Sequence, residues 1–246
     1  MHFIDYILLF GLAFLSGILY LFIKPQANIL KLVLTFSGAY LFCLTAIHLL
    51  PELYSDGNPL KTGIFIVVGF VLQIILEVFS EGIEHGHIHV HENSHQHRES
   101  SAILVLFALC IHAFLEGGLL AHPRTVTHHH DSNTLLWGIV LHKAPEAFAL
   151  MSVLLCDVKS KTRAFLFLLI FSLASPFGLF LSNYLLANEW MSSQAFTFFF
   201  AVVSGNFLHI STTIVFESSL DHKFNAKKMG VAILAAAVAV GTELFA

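Results

Sequence analysis

Apolar residues along this chain run on for about twenty positions at a time and then stop at short polar breaks, without the strict alternation of a half-buried strand. Such runs are readable over 4–23, 30–50, 63–79, 102–121, 135–156, 164–187, 195–216 and 229–245. As a helix, each is long enough to cross a hydrocarbon core of about 30 Å. The pattern predicts an all-α polytopic membrane protein with eight transmembrane helices, in a single domain over 1–246. Composition agrees: 57% of the residues are hydrophobic and 11% charged, against about a quarter charged in soluble domains. Mean hydropathy is +0.79. A soluble enzyme and a basic nucleic-acid binder are both excluded.

The net charge of -4 matters less than where the cations fall. Alternate connections carry Lys24 and Lys31; Arg98; Lys159, Lys161 and Arg163; and Lys223, Lys227 and Lys228, whereas the others hold only Lys61 and Arg124. Positive charge stays on the cytoplasmic side, so both termini are expected to be extracytoplasmic. The start "MHFIDYILLF" has no basic region ahead of its apolar run and reads as a span rather than a cleaved signal. Cys43, Cys110 and Cys156 lie in or at the end of apolar runs without paired spacing, as small buried hydrophobes do.

The first and last runs hold almost nothing ionisable beyond end residues such as Asp5, and read as packing elements. The fourth and fifth differ. "CIHAFLEGG" puts His112 and Glu116 near the middle of one, and "LHKAPEAF" puts His142, Lys143 and Glu146 near the middle of the other. A charge at that depth costs about 2.5–3.5 kcal/mol, so such groups meet a partner, a cavity or an ion. His112 and Glu116 are four residues apart, as are His142 and Glu146, and each pair therefore shares a helix face. If the two helices are neighbours, four nitrogen and oxygen ligands converge, a set that suits a divalent transition metal. Pro145 cannot donate to the carbonyl of Leu141, which frees a backbone oxygen beside His142. Taken singly, each His reads as an interhelical hydrogen-bonder and each Glu as a partner for Lys143; the doubled pattern is what points to metal.

Around this centre lie further histidines. "EGIEHGHIHVHENSHQH" places His85, His87, His89, His91, His95 and His97 in the connection at about 80–100, expected to be cytoplasmic, where a His-rich tract binds metal weakly without a fixed fold. "AHPRTVTHHHD" supplies His122, His128, His129 and His130 on the other side. His48 with Glu52, and Glu77 with Glu81, are candidates for a pathway, as is His209.

In "HLLPE" at 48–52, "HAFLEGG" at 112–118, "HKAPEAF" at 142–148, "SPFG" at 175–178 and "GNFLHI" at 205–210, together with the His-rich loop, the chain resembles the ZIP (Zrt-, Irt-like) divalent metal transporters. The resemblance implies an eight-helix carrier with outward termini that moves zinc, iron or manganese into the cytoplasm by an elevator-like motion. Its metal site, made by the fourth and fifth spans, would be His112, Glu116, His142 and Glu146. Some members hold a second metal through an Asn, an acidic residue and a Glu where this chain has Ala113, Lys143 and Ser175. The chain is similar to the branch with a His-Lys pair and one central ion, and Lys143 is the expected surrogate for the second. "HISTTI" in the seventh span lacks the acidic residue of many members.

The expected function is transport of divalent transition metal ions, with Zn2+ as the foremost substrate and Fe2+, Mn2+ or Cd2+ as alternatives. The expected partners are those ions, the lipid bilayer and a second copy of the chain, with no nucleic acid. The expected location is a cell membrane, either a bacterial inner membrane or a eukaryotic plasma membrane. An intramembrane metal-dependent hydrolase would use the same ligands, but needs a general base at that depth, and Lys143 suits that role poorly. A metal sensor needs an output domain, and no connection is long enough to be one.

Overall fold

A computed structural model describes residues 3–23, 27–55, 58–80, 98–121, 132–158, 160–216 and 225–245. Among them every regular element is helical: α1 (Phe3–Leu19), α2 (Ala27–Leu44), a π-helical turn (Thr45–Leu49), α3 (Leu50–Ser55), α4 (Pro59–Ser80), α5 (Arg98–Leu119), α6 (Ser132–Asp157), α7 (Lys161–Ala187), α8 (Ser193–Phe216) and α9 (Ala226–Phe245). Since α2, the π turn and α3 are continuous, these make eight rods, one for each apolar run. Six of them, running from Ile29–Ser55 to Ser193–Val215 in chain order, are long and apolar enough to cross a membrane. The others are the 17-residue α1 and the 20-residue α9, which opens on two lysines.

The second rod passes the expected stop at residue 50 and continues to Ser55. Its chemistry explains how. Pro51 would press its ring against the carbonyl four residues back in a regular helix. The turn before it is widened instead, with the Leu50 N–H donating to the carbonyl of Thr45. A π turn absorbs the proline without ending the rod.

Lipid is as apolar as a leucine surface, so packing between spans relies on close backbone approach rather than on burial from water. Two contacts show this. On α5 and α7, a Cβ added at Gly117 would collide with the carbonyl of Ser175, and one added at Gly178 with the carbonyl of Phe114. On α4 and α8, Gly69 and Gly205 meet the carbonyls of Val202 and Ile66 in the same way. Each pair of helices is thus joined backbone to backbone. α1 packs against α6 and α7, while α2 packs against α9, α8 and α6.

The rods differ in how far they are enclosed. Only 28% of the apolar window of α4 is buried, and Val67, Val71, Ile74 and Val78 face outward as a lipid-facing stripe. In α6 the share is 72%. The helix carrying His142 and Glu146 is therefore the most enclosed of the six, with Trp137 and Leu141 on its outward side.

Gly178→Val should destabilise the protein by about 1–3 kcal/mol, because the added carbons have only backbone to displace. Gly230→Ala, with nothing within 4 Å of the new Cβ, is the control. Thermal unfolding in detergent should show a lowered midpoint for the first and none for the second.

Candidate metal centre

The two His/Glu pairs sit on facing stretches of α5 and α6, and His112, Glu116, His142 and Glu146 are all fully buried. Helical spacing stacks each imidazole over its carboxylate, and the contact between α5 and α6 brings the two stacks together. One ligand atom from each of His112, His142 and Glu146 lies within 4.8 Å of the others. The imidazole rings stand nearly perpendicular, at 88°, with centroids 6.0 Å apart. Their nitrogens can converge on one ion without the rings clashing.

Glu116 is held differently. Its Oε1 is 2.9 Å from His112 Nε2, and its Oε2 is ion-paired with the Lys143 ammonium. Lys143 Nζ is also 3.2 Å from Glu146 Oε2 and stands over the Phe171 ring, 5.1 Å from its centroid. The lysine, one residue beyond His142, therefore spans both carboxylates. Geometry allows it because positions 143 and 146 lie about 60° apart around the helix and the four-carbon stem is long. Two anions and one cation share a site with almost no access to water. Removing the cation would leave uncompensated buried charge, which costs about 3–5 kcal/mol in comparable pairs.

A further side chain reaches the centre from α8. Asn206, fully buried, places Nδ2 at 3.3 Å from His112 Nδ1. An amide N–H donated to Nδ1 puts the imidazole proton on Nε2, where it faces Glu116. A metal on Nε2 requires the opposite tautomer, with Nδ1–H donating to an oxygen. The Asn206 Oδ1, which accepts no hydrogen bond among the described residues, supplies that oxygen when the amide turns over.

Against known proteins, residues 84–242 match the ZIP Zinc transporter family. The chain belongs to the ZIP family. It is 30% identical over 114 residues to "Zinc transporter ZIP9" of Xenopus tropicalis and to "Zinc transporter ZIP9-B" of Xenopus laevis, covering 46% of this chain and 37% of each relative. The same identity and coverage of this chain hold for "Zinc transporter ZIP9" of Micropogonias undulatus, of which 36% is covered. The chain spans little more than a third of the length of these relatives.

In this ZIP protein the three positions where a second-metal set would lie are close together. Ser175 Oγ donates to the Ala113 carbonyl at 2.8 Å, joining α7 to α5 beside Glu116, and Lys143 points its ammonium at Glu116 from α6. The serine satisfies itself on backbone and offers no charge.

The remaining pathway candidates form two separate groups. His209 on α8 is 3.4 Å from Glu77 on α4 through Nε2 and stacks edge to face on Phe70. His48, in the π turn, is 3.8 Å from Glu52 and 3.0 Å from Glu243 of α9. Glu81, the loop histidines at 85–97 and those at 122 and 128–130 lie outside the described residues. Sequence spacing missed Asn206, Glu243 and Ser16, whose Oγ donates to the Ala144 carbonyl next to Pro145. Asn206 falls within "GNFLHI" but was not singled out there, and Ser16 carried no signal, since the partners of both are on other helices.

Lys143→Met should lower the metal-free melting temperature, and added Zn2+ should raise it further in the variant than in the parent. The divalent ion then does what the ammonium did. Differential scanning fluorimetry with and without Zn2+ reads both shifts.

Proposed function

We propose that this ZIP protein carries divalent transition metal ions, zinc foremost, across a cell membrane into the cytoplasm. The observation that carries this reading is the convergence of His112, His142 and Glu146, fully buried within 4.8 Å in the middle of two spans. Glu116 is the fourth ligand on this reading. It joins when the arriving ion displaces His112 Nε2 from it.

The charge balance suits a carrier. Glu116, Glu146 and Lys143 leave the metal-free site with a single negative charge, and a divalent ion turns that into a single positive one. Neither state accumulates two uncompensated charges in a low-dielectric interior, where mutual repulsion is strongest. Lys143 thus takes the place of a second ion and keeps the first from being held too tightly to leave. Imidazole and carboxylate favour zinc and its neighbours over calcium or magnesium, and Fe2+, Mn2+ or Cd2+ are the alternative substrates on this reading.

The helix packing supports an elevator-like motion. All four ligands ride on α5 and α6, which belong with α7 and α1, while α4, α8, α2 and α9 form the other group. Backbone-to-backbone glycine contacts lie inside the groups, between α5 and α7 and between α4 and α8. Across the boundary, Gly138 of α6 meets the side chains of Tyr40 and Leu44. Side chains can slide past one another where backbones cannot. On this reading the positive-inside rule puts both termini and the C-terminal end of α2 outside and the His-rich loop in the cytoplasm, where it concentrates or senses the ion. A hydrolase is set aside, because the family is one of transporters and Lys143 is engaged by both carboxylates rather than available as a base.

In vesicles containing the purified protein, His112→Ala, Glu116→Ala, His142→Ala and Glu146→Ala should each cut zinc uptake at least tenfold at equal protein content. Two of them transporting like the parent would overturn the site assignment. Replacing the six histidines at 85–97 with Ser should leave initial uptake within a few-fold.

The motion has its own test, in a background without Cys43, Cys110 and Cys156. A short bifunctional thiol reagent should stop uptake when it joins Tyr40→Cys to Gly138→Cys across the two groups. It should spare uptake when it joins Tyr40→Cys to Thr242→Cys, within one group and next to the Tyr40–Thr242 contact of 3.4 Å.

A further inference from the structure

We infer that Asn206 of α8 is a positioning residue for the central ion, and that through the His112 ring it makes zinc affinity depend on where the ligand-bearing helices stand against α8. This rests on the central-site and sliding readings above, while affinity and ring tautomer are both measurable without transport.

His112 and Asn206 come from different helices and both are completely buried. Asn206 Nδ2 lies 3.3 Å from His112 Nδ1, and His112 Nε2 lies 2.9 Å from Glu116 Oε1. The ring is thus met by an amide at one nitrogen and by a carboxylate at the other. An imidazole that offers Nε2 to an ion carries its proton on Nδ1, and that proton needs an acceptor. At complete burial the acceptor has to come from the protein. Asn206 Oδ1 belongs to the amide already in place and accepts no hydrogen bond among the described residues. Half a turn of the amide exchanges the N–H donor for this oxygen.

The chemistry calls for an amide in particular. It carries a donor and an acceptor on one plane, so it serves both tautomers of the ring, whereas a carboxylate serves only the ion-bound form. It is also neutral, and leaves the balance of Glu116, Glu146 and Lys143 as it is. The ring keeps one proton throughout. When the ion takes the Nε2 lone pair, the Nε2 proton passes to water arriving with the ion, and a proton from that water goes to Nδ1.

Each end of the hydrogen bond is anchored to its own group of helices. Asn206 follows Gly205, which seats α8 on the α4 backbone at Ile66. His112 stands one turn before Glu116, and Gly117 next to it seats α5 on the α7 backbone at Ser175. A slide of one helical turn, about 5.4 Å, therefore takes the amide out of reach of the ring. Losing such an orienting partner weakens metal binding about 10–100-fold. By linkage, the bound ion favours the position seen here by the same factor. The site is tight where Asn206 reaches it and loose where it does not, which promotes release after the slide.

The test uses the full chain in nanodiscs, with the histidines at 85–97, 122 and 128–130 replaced by Ser and Zn2+ as the probe. Binding that disappears in His112→Ala with His142→Ala defines the central site. Asn206→Leu keeps the volume and loses both polar atoms, and in calorimetric titration it should weaken that site about tenfold or more. Asn206→Ala is read the same way should the leucine variant fail to fold. Nitrogen NMR of the ring, assigned by comparison with His112→Gln, should show the proton on Nε2 without zinc and on Nδ1 with it. In Asn206→Asp, which only accepts, Nδ1 should be protonated before any zinc is added. In the cysteine-free background, joining Tyr40→Cys to Gly138→Cys holds the position seen here, and Asn206→Leu should weaken binding there by the same factor. Unchanged affinity in both Asn206→Leu and Asn206→Ala, a proton on Nδ1 in the zinc-free parent, or an effect that vanishes on locking overturns the proposal. A parent that binds this zinc without carrying it overturns the carrier reading and leaves the binding results standing.

Discussion

A lysine ammonium held between two glutamates inside a membrane is the constraint around which the rest of this structure is arranged. Lys143, Glu116 and Glu146 are all but inaccessible to solvent, and none of them could sit where it does without the others. Each charge alone would carry a desolvation penalty that helix insertion tolerates poorly. Together they leave a residual negative charge that a cation can neutralise. On the proposed reading the histidines add neutral ligands beside that charge without raising the electrostatic cost, at a depth where an all-carboxylate site would not remain ionised.

Holding such a site demands rigid neighbours. Gly117 follows Glu116 and touches the α7 backbone at Ser175, while Ser175 reaches back to the Ala113 carbonyl, so the turn of α5 carrying His112 and Glu116 is pinned against α7. Ser16 of α1 donates to the carbonyl of Ala144, beside the proline that interrupts the hydrogen-bond ladder of α6. The turns carrying the two His/Glu pairs are thus fixed by contacts with α7 and α1. Asn206 is the exception: it reaches His112 from α8, so the tautomer of a ligand depends on the other group. If the groups slide, that hydrogen bond breaks and reforms with them.

Much of this was open to reading along the chain. Eight apolar runs correspond to eight helical rods, because the length of a span is set by bilayer thickness and not by its neighbours. The two buried His/Glu pairs were legible because ionisable residues in a span are few and their spacing of four is a geometric statement about one helix. Lys143 was legible for the same reason, as a cation one residue from a ligand with a stem long enough to return to Glu116 and Glu146.

What only the tertiary structure decided are relations between helices. That α5 and α6 are neighbours, that α7 is welded to α5 through glycine, and that Glu243 meets His48 across nearly the whole length of the chain have no local signature. A glutamate at a helix end looks the same in sequence whether water or an imidazole solvates it. The π turn is similar, since Pro51 announced an obstacle but not whether the rod would stop or widen. Sequence by itself determined which residues share a helix face, because 3.6 residues per turn is a property of the backbone. Which faces meet depended on small residues and carbonyls finding one another in a solvent that offers helices no hydrophobic reason to associate.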